Sequence, residues 1–344
     1  MMKLKCLIVV VMCLAVMQIV GAESGVAEGT KDHNKEAHHL LCDLMKAAVG
    51  KWGRSGETLS EPLKKALGRT IFGSMTGGSL EELRRELPDF YEAVLKGIAD
   101  RSTACGGPES GQSAPYDMVC LCTLGNNSWP LDYIRTATTL CGQNKNDLGS
   151  EKGSKGWSDR GTGFEQITAT WFNVIKHCLE GDKEKGEKLK EALEHFLGKL
   201  KNKPYQGNDR YQLGEGEPES YSACTGTKTT GVCVMYYNGT FVKKDRIPWW
   251  QDLQNALPEE EKFQEEKRRA EEEKRKQQEE AAKKEAKNTE DLKSGPQANN
   301  QTERSQKDKL HEAIRKYNMK SGTPKTSSMF MASHCRYFDL KEHH

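Results

Sequence analysis

Eight cysteines in the central part of the chain constrain its fold more than any other feature of the sequence. The chain also begins with a segment typical of a secretion signal, so these cysteines are expected to meet an oxidising compartment. Cysteines of exported proteins usually form structural disulfides and seldom act as metal ligands or nucleophiles. The sequence therefore predicts four disulfides, although it does not select among the many pairings that eight cysteines allow. The cysteines concerned are Cys42, Cys105, Cys120, Cys122, Cys141, Cys178, Cys224 and Cys233.

The first 22 residues have the features of a cleaved signal peptide. Lys3 and Lys5 precede an apolar run that ends near Val20, and small residues follow at Gly21 and Ala22. A single transmembrane anchor is the alternative, but an apolar run of about 15 residues is short for a membrane span. We therefore expect cleavage after Ala22.

Apolar residues that recur at three- and four-residue steps predict a mainly α-helical fold. Ser79 and Glu82 form a capping box at the start of one of these stretches, and Pro88 is expected to bend the helix that follows. Ser60, Glu61 and Pro62 can begin a short further turn of helix. The predicted amphipathic helices cover about residues 32–52, 80–98, 164–179 and 189–200.

The stretches 102–160 and 202–246 are rich in Gly, Ser, Asn and Pro, so we predict loops that need crosslinks to hold them. Cys120 and Cys122, separated by one residue, rarely bridge each other, because the chain would have to bend sharply to reach disulfide geometry. We expect them to bind two different partners. The run from Val232 to Val242 predicts a short β-hairpin that turns at Asn238-Gly239.

Residues from Pro258 to Asn288 are almost entirely Glu, Lys, Arg, Gln and Ala. Acid-first pairs four residues apart, such as Glu265 with Arg269, each stabilise an isolated helix by about 0.2–0.5 kcal/mol. No apolar stripe is present, so this is a solvated helical spacer and not a coiled coil. The predicted organisation is a signal peptide (1–22), a helical domain (23–255), this spacer (256–290) and a largely disordered polar tail (291–344) that contains the odd Cys335.

Sequence patterns of catalytic, cofactor-binding and metal sites are missing. The segment 73–77 lacks a serine where a nucleophile elbow needs one, and no phosphate-binding glycine loop follows a strand. His33, His38 and His39 could form a metal cluster with Cys42, but a disulfide at Cys42 agrees better with its helix. A net charge of +2 provides no strong field for nucleic acid. We predict a protein that is not an enzyme, with no cofactor, metal or nucleic-acid partner.

Three N-glycosylation motifs lie in predicted loops or in the tail, where a glycan could be tolerated. They begin at Asn126, Asn238 and Asn300. Trp249 and Trp250, which follow Pro248, are interpreted as an aromatic plug for the helical domain.

Several cysteine and tryptophan motifs occur in a definite order: Cys42 on the first helix, Cys105-Gly106-Gly107, Val119-Cys120-Leu121-Cys122-Thr123, Cys141, Trp171 and Cys178 on one helix, Cys224-Thr225-Gly226, Cys233 and Ile247-Pro248-Trp249-Trp250. In this order they resemble the variant surface glycoproteins of African trypanosomes, in the cysteine-rich N-terminal class related to type B. The resemblance covers about residues 1–255. The Cys-Leu-Cys-Thr and Pro-Trp-Trp runs are its most specific parts.

This resemblance implies an elongated antiparallel helical bundle with disulfide-pinned loops. It further implies a homodimer packed among neighbouring coat molecules, held at the outer face of the plasma membrane by a glycosylphosphatidylinositol anchor and exposed to host antibodies. The family's function would be shielding, antigenic variation and immune evasion. The tail after Ser327 is too polar for an anchor signal, so a secreted or truncated copy is an alternative. A helical-bundle nutrient receptor of the same parasites, of the haptoglobin–haemoglobin type, is the alternative function.

Overall fold

The computed structural model describes nine ranges of the chain: 31–88, 100–107, 110–131, 138–151, 155–158, 162–205, 209–218, 223–238 and 247–291. It divides into two compact units, 1–270 and 271–344. The predicted signal peptide, the second half of the helix predicted at 80–98, Asn300 and the tail from 292 onward lie outside these ranges. None of the described helices combines the length and apolar character that a bilayer span requires.

Helices dominate the described residues, so the prediction of a mainly α-helical chain is confirmed. π-helical turns span Ser102–Gly106 and Trp171–Ile175, and the second of these joins α5 to α6. The α-helices are α1 (Lys35–Trp52), α2 (Glu61–Phe72), α3 (Leu80–Arg85), α4 (Ala114–Cys122), α5 (Phe164–Thr170), α6 (Lys176–Cys178), α7 (Lys183–Glu187), α8 (Leu189–Lys199) and α9 (Trp249–Asp291).

Five short strands form two small sheets among the described residues. Strands β1 (Asp32–His33) and β2 (Thr139–Leu140) pair in parallel. Strands β3 (Lys201–Asn202), β4 (Asp209–Gly214) and β5 (Cys233–Asn238) form an antiparallel sheet in that order.

The strand predicted in the run from Val232 to Val242 is present as β5, and its described partner is a strand that the sequence did not predict. It pairs with β4, so that Tyr211 lies opposite Tyr236. The Asn238-Gly239 dipeptide indicates only a local turn. It carries no information on pairing with β4, which lies outside that turn and earlier in the chain. The second arm of the predicted hairpin lies outside the described residues.

Helix α1 packs its apolar face into the core as its periodicity predicts. Each residue of that face is buried, and burial of a leucine side chain contributes about 1.5–3 kcal/mol. The helix packs against α2, α4, α7 and α8. The residues of the predicted face are Ala37, Leu41, Leu44, Met45 and Ala48.

Two helix boundaries differ from the prediction. Helix α2 runs for 12 residues, so the prediction of a short turn at this place was wrong. Helix α3 ends at Arg85, before Pro88, which therefore does not bend it. Because a proline disfavours helical backbone at the residue before it, ending the helix early avoids that conflict. The cap at Ser79 is present, since its hydroxyl accepts the Glu82 N–H at 3.3 Å.

Helix α9 is buried in its first turns and exposed further on. Trp249, Trp250 and Leu253 are buried, whereas every side chain from 265 to 284 is exposed. The charged helical segment predicted from Pro258 is therefore helical, but the helix begins earlier and Pro258 lies inside it.

Two contacts fasten these first turns of α9 to helix α2. The Arg69 guanidinium pairs with the Asp252 carboxylate. The Glu260 carboxylate accepts the Ser60 N–H at 2.8 Å, so a side chain of α9 satisfies a free amide at the start of α2.

Four disulfides pair the eight central cysteines, which is the number that the sequence predicts. One of them joins residues 136 positions apart and links α1 to α6, whereas the other three are local, with separations of 9 to 19. The pairs are Cys42–Cys178, Cys105–Cys120, Cys122–Cys141 and Cys224–Cys233.

We expect the long-range disulfide to stabilise the fold more than a local one, because it removes more freedom from the unfolded chain. For separations of 136 and 9 residues, the loop-entropy relation gives about 5 and about 2.5 kcal/mol. Denaturant unfolding of the Cys42→Ser/Cys178→Ser variant should show the larger loss, with Cys224→Ser/Cys233→Ser as the matched control. Equal losses in the two variants would contradict the loop-entropy explanation.

Candidate functional site

Helix α4 is the centre of the disulfide-pinned region, and all nine of its residues are buried. Cys120 in its last turn bonds to Cys105, and Cys122 bonds to Cys141. Residues two apart on an α-helix project about 200° from each other, so one helix end reaches two separate partners. The helix therefore explains why Cys120 and Cys122 bond to different cysteines, as the sequence predicts. The prediction of a loop-rich stretch at 102–160 did not include this helix.

Apolar periodicity does not reveal α4, but the residues at its start indicate a helix. A helix that is buried on all sides shows no polar face, so its pattern does not alternate. Its start, however, has a capping serine followed by a proline in the first turn. The Ser113 hydroxyl accepts the Tyr116 N–H at 3.3 Å, and Pro115 occupies a position where prolines are favoured.

A buried arginine holds the carboxyl end of α4. Arg101 is fully buried, and its described hydrogen-bond partners are all backbone carbonyl oxygens. It donates to Cys120 at 2.7 Å and to Thr123 at 3.0 Å, and its guanidinium lies 5.1 Å from the ring centroid of Trp157. A cation at the negative end of a helix dipole is favourable, and these bonds offset part of the cost of burying the charge. Burial lowers the pKa of Arg101 to about 9, so the group is protonated at neutral pH.

A buried carboxyl group in the first turn of α4 joins it to β5 and α9. The Asp117 carboxyl accepts the Tyr236 hydroxyl at 2.8 Å, the Trp249 indole N–H at 2.7 Å and the Gly111 N–H at 3.2 Å. Burial raises the pKa of Asp117 to about 7, and the three donors and Arg69 oppose this rise only in part. Asp117 therefore connects three elements through hydrogen bonds.

The aromatic residues around Asp117 form one cluster. Trp249 packs on Phe196 of α8 with ring centroids 5.4 Å apart, and Trp250 meets Tyr236 edge-on at 6.0 Å. Aromatic pairs of this kind contribute about 0.5–1.5 kcal/mol beyond their buried area. The interpretation of the two tryptophans as a plug agrees with their burial.

The polar residues before α1 link it to the same region. The Asn34 amide donates to the Leu121 and Val232 carbonyls, each at 2.8 Å. His33 binds the Glu215 carboxylate at 2.7 Å, and this hydrogen bond is the largest cause of the lowered pKa of Glu215. These contacts bring the start of α1, the end of α4 and the segment before β5 together.

The histidines considered as metal ligands are distributed over different contacts. His33 binds Glu215 and His39 lies 3.2 Å from Asp43. Within the described residues, His38, Cys42 and Cys178 lie close enough to hold a metal ion, with ligand atoms within 4.8 Å of one another. However, the two sulfurs are bonded to each other, so they do not offer thiolates. Burial lowers the pKa of His38 to about 4, which leaves its imidazole neutral at physiological pH.

The glycosylation motifs fall in different surroundings. Asn126 is exposed in a 3₁₀ turn, Asn126–Ser128, between α4 and β2. Asn238 is the last residue of β5 rather than part of a loop. Asn300 lies outside the described ranges.

Sequence reasoning missed Arg101 and Asp117. Charged residues are mostly exposed, so nothing local marks a charge that will be buried. An aspartate in the first turn of a helix also looks like an ordinary favourable charge at the positive end of the dipole. The arrangement that these residues form is suited to holding backbone segments in place: a fully buried carboxyl and a fully buried guanidinium have no direct access to a dissolved reactant.

Comparison with known proteins gives a family match. A family model described as the trypanosomal VSG domain matches residues 22–276. The matched range includes α1 to α8, all four disulfides and the buried first turns of α9. No curated protein matches the chain.

We expect the stability of the fold to fall as the pH rises because of Asp117. Its pKa is raised from 3.8 in the unfolded chain to about 7 in the fold. Between these values the folded state binds the proton more tightly, so the free energy of unfolding decreases with pH and stays at its lower level above about pH 7. The full effect is of the order of 4 kcal/mol. The side chain of an Asp117→Asn variant does not titrate, so it should lack this decrease.

Urea unfolding between about pH 4 and pH 8 measures the effect. Glu165→Gln, which alters an exposed carboxyl, is the control and should keep the wild-type slope. An Asp117→Asn variant with the wild-type slope would show that another group causes the pH dependence.

Proposed function

Since this chain belongs to the trypanosomal VSG domain family, whose members are surface coat proteins of trypanosomes, we propose that it shields the plasma membrane and serves antigenic variation and immune evasion. The match over residues 22–276 is the observation that carries this proposal. The proposal places the protein at the outer face of the plasma membrane, attached through a glycosylphosphatidylinositol anchor. It also makes it a glycoprotein, with Asn126, Asn238 and Asn300 as the acceptor residues.

The buried framework gives a physical reason why such a coat could vary its sequence. Buried apolar contacts, disulfides and the hydrogen bonds of Arg101 and Asp117 hold the described elements together. Substitutions at exposed positions away from such contacts usually change stability by less than about 0.5 kcal/mol. Exposed residues can therefore change, and with them the surface that an antibody binds, while the framework stays folded.

The proposed partners are a second copy of this chain, neighbouring coat molecules and host antibodies. Phe164 and Phe172 are exposed apolar residues, 58% and 37% accessible, on α5 and the π-helical turn that follows it. Scattered exposed apolar residues are normal on a monomer, so they do not identify the dimer surface. Sedimentation of the purified chain determines whether it forms a dimer.

Two adjacent residues on α5 test whether exposed positions can change without loss of stability. Glu165 is exposed, whereas Gln166 is buried and donates to the Gly149 carbonyl. We expect Glu165→Ala to change the free energy of unfolding by less than about 0.5 kcal/mol and to reduce binding of antibodies raised against this face. Gln166→Ala should cost about 1 kcal/mol or more, because it removes a buried side chain together with its hydrogen bond to the partly buried Gly149.

Denaturant unfolding and antibody titration of the two variants measure these effects. If Glu165→Ala destabilised the protein as much as Gln166→Ala, exposed positions would not be free to vary in the proposed way.

Attachment at the cell surface is tested on intact trypanosomes that express the full chain. Treatment with a phosphatidylinositol-specific phospholipase cleaves the lipid from such an anchor, so we expect the protein to appear in the medium only after treatment. A surface protein with a transmembrane helix is the control and should stay on the cells. Protein that is found in the medium without treatment, or only inside the cells, would contradict the proposed attachment. A soluble nutrient bound specifically to the released protein would instead favour a receptor.

A further inference from the structure

The glycosylation motif at Asn126 is exposed at one end and buried at the other. The Asn126 side chain is exposed, whereas Ser128, the third residue of the motif, has no accessible surface. The Ser128 hydroxyl lies 2.8 Å from the Ser150 hydroxyl and donates to the Lys155 carbonyl at 2.9 Å. The fold therefore has room for a glycan on Asn126, but it encloses the hydroxyl that completes the motif.

The backbone of the motif is also held in a conformation that the unfolded chain rarely adopts. Asn127 and Ser128 have positive φ values of 52° and 63°, in the left-handed region. The Asn126 N–H donates to the Gly226 carbonyl at 2.9 Å, and its own carbonyl accepts the Trp129 N–H at 3.0 Å. Tertiary contacts thus fix the turn, and the chain before folding has no reason to form it.

The motif lies inside the loop that the Cys122–Cys141 disulfide closes, which spans 19 residues. Ser150 and Lys155, which hold the Ser128 hydroxyl, follow Cys141 in the sequence. Closing the disulfide therefore shortens the path between Asn126 and the residues that enclose its motif. We therefore expect formation of this disulfide to favour burial of Ser128.

The acceptor motif requires Ser or Thr two residues after Asn, so the transferring enzyme must contact that hydroxyl. In the reaction, the Asn side-chain nitrogen bonds to C1 of the first sugar of a lipid-linked oligosaccharide diphosphate. The bond between C1 and the phosphate oxygen breaks, and the amide proton leaves with the lipid diphosphate. None of this can occur at Asn126 while Ser128 is enclosed.

We propose that closure of the Cys122–Cys141 loop ends the period in which Asn126 can be glycosylated, so that disulfide formation and glycan transfer compete for each new chain. This rests on the proposed function as an exported surface glycoprotein. Synthesis at about 5–20 residues per second completes the loop within a few seconds of Asn126. Disulfide formation takes seconds to hours, so the two processes overlap in time. Disulfide timing then sets the fraction of molecules that carry this glycan.

The first test uses purified, unglycosylated full-length chain with its disulfides formed. It is incubated with oligosaccharyltransferase and lipid-linked oligosaccharide, beside the same chain after reduction and alkylation. We expect at least about tenfold less transfer to Asn126 in the disulfide-bonded chain, because Ser128 is accessible only in rare open states. Mass spectrometry of the Asn126 peptide measures the transfer, and the Asn300 peptide, which follows the four described disulfides in the sequence, normalises it. Equal transfer to both forms would overturn the proposal.

The second test compares variants in cells. Cys122→Ser/Cys141→Ser removes the loop closure, and Cys105→Ser/Cys120→Ser, which removes a disulfide of similar separation whose loop lacks the motif, is the control. We expect Asn126 occupancy to rise about twofold or more in the first variant alone, since the competing step is removed. An equal rise in both variants, or full occupancy in the wild type, would overturn the role of this loop.

Absence of glycan on Asn126 in every variant and in the reduced chain would overturn the motif as an acceptor. The proposed coat function is judged separately by release of the protein from the cell surface, which does not depend on Asn126.

Discussion

The complete burial of helix α4 is the constraint on which the rest of the first unit depends. A short helix with no solvent-exposed side must be surrounded, and α1, α2, β5 and the π-helical turns provide those surroundings. Two disulfides leave its last turn in different directions, while Arg101 binds its terminal carbonyls. A segment that could not bury enough surface alone is thus fixed by crosslinks and one buried cation.

Asp117 extends this constraint to β5 and α9, which lie more than 100 residues further along the chain. Its single carboxyl group receives donors from the segment before α4, from β5 and from α9. Such a network specifies one arrangement, because each buried donor would otherwise lose its partner at a cost of about 1–3 kcal/mol. Its burial also makes the arrangement sensitive to pH. The Asp117 carboxyl therefore both selects one arrangement of these elements and makes the free energy of unfolding depend on pH.

The distribution of burial relates this framework to the proposed coat function. The residues that hold the unit together are buried, whereas exposed side chains of α5 and the loops contribute little to stability. The turn at Asn126 combines both properties, since its asparagine faces solvent and its serine belongs to the framework. Chemistry at that residue consequently depends on the order of folding events as well as on surface exposure.

The helical class, the number of disulfides, the burial of Trp249 and Trp250 and the family could be predicted from the sequence, because apolar periodicity, cysteine number and motif order can be read along the chain without knowing which residues meet in the fold. The sequence did not determine α4, since a wholly buried helix has no alternating pattern. The disulfide pairing, the pairing of β5 with β4 and the burial of Arg101 and Asp117 were known only from the fold. Each depends on which of several possible partners meets a residue when the chain packs, and the local pattern of residue types does not record that choice.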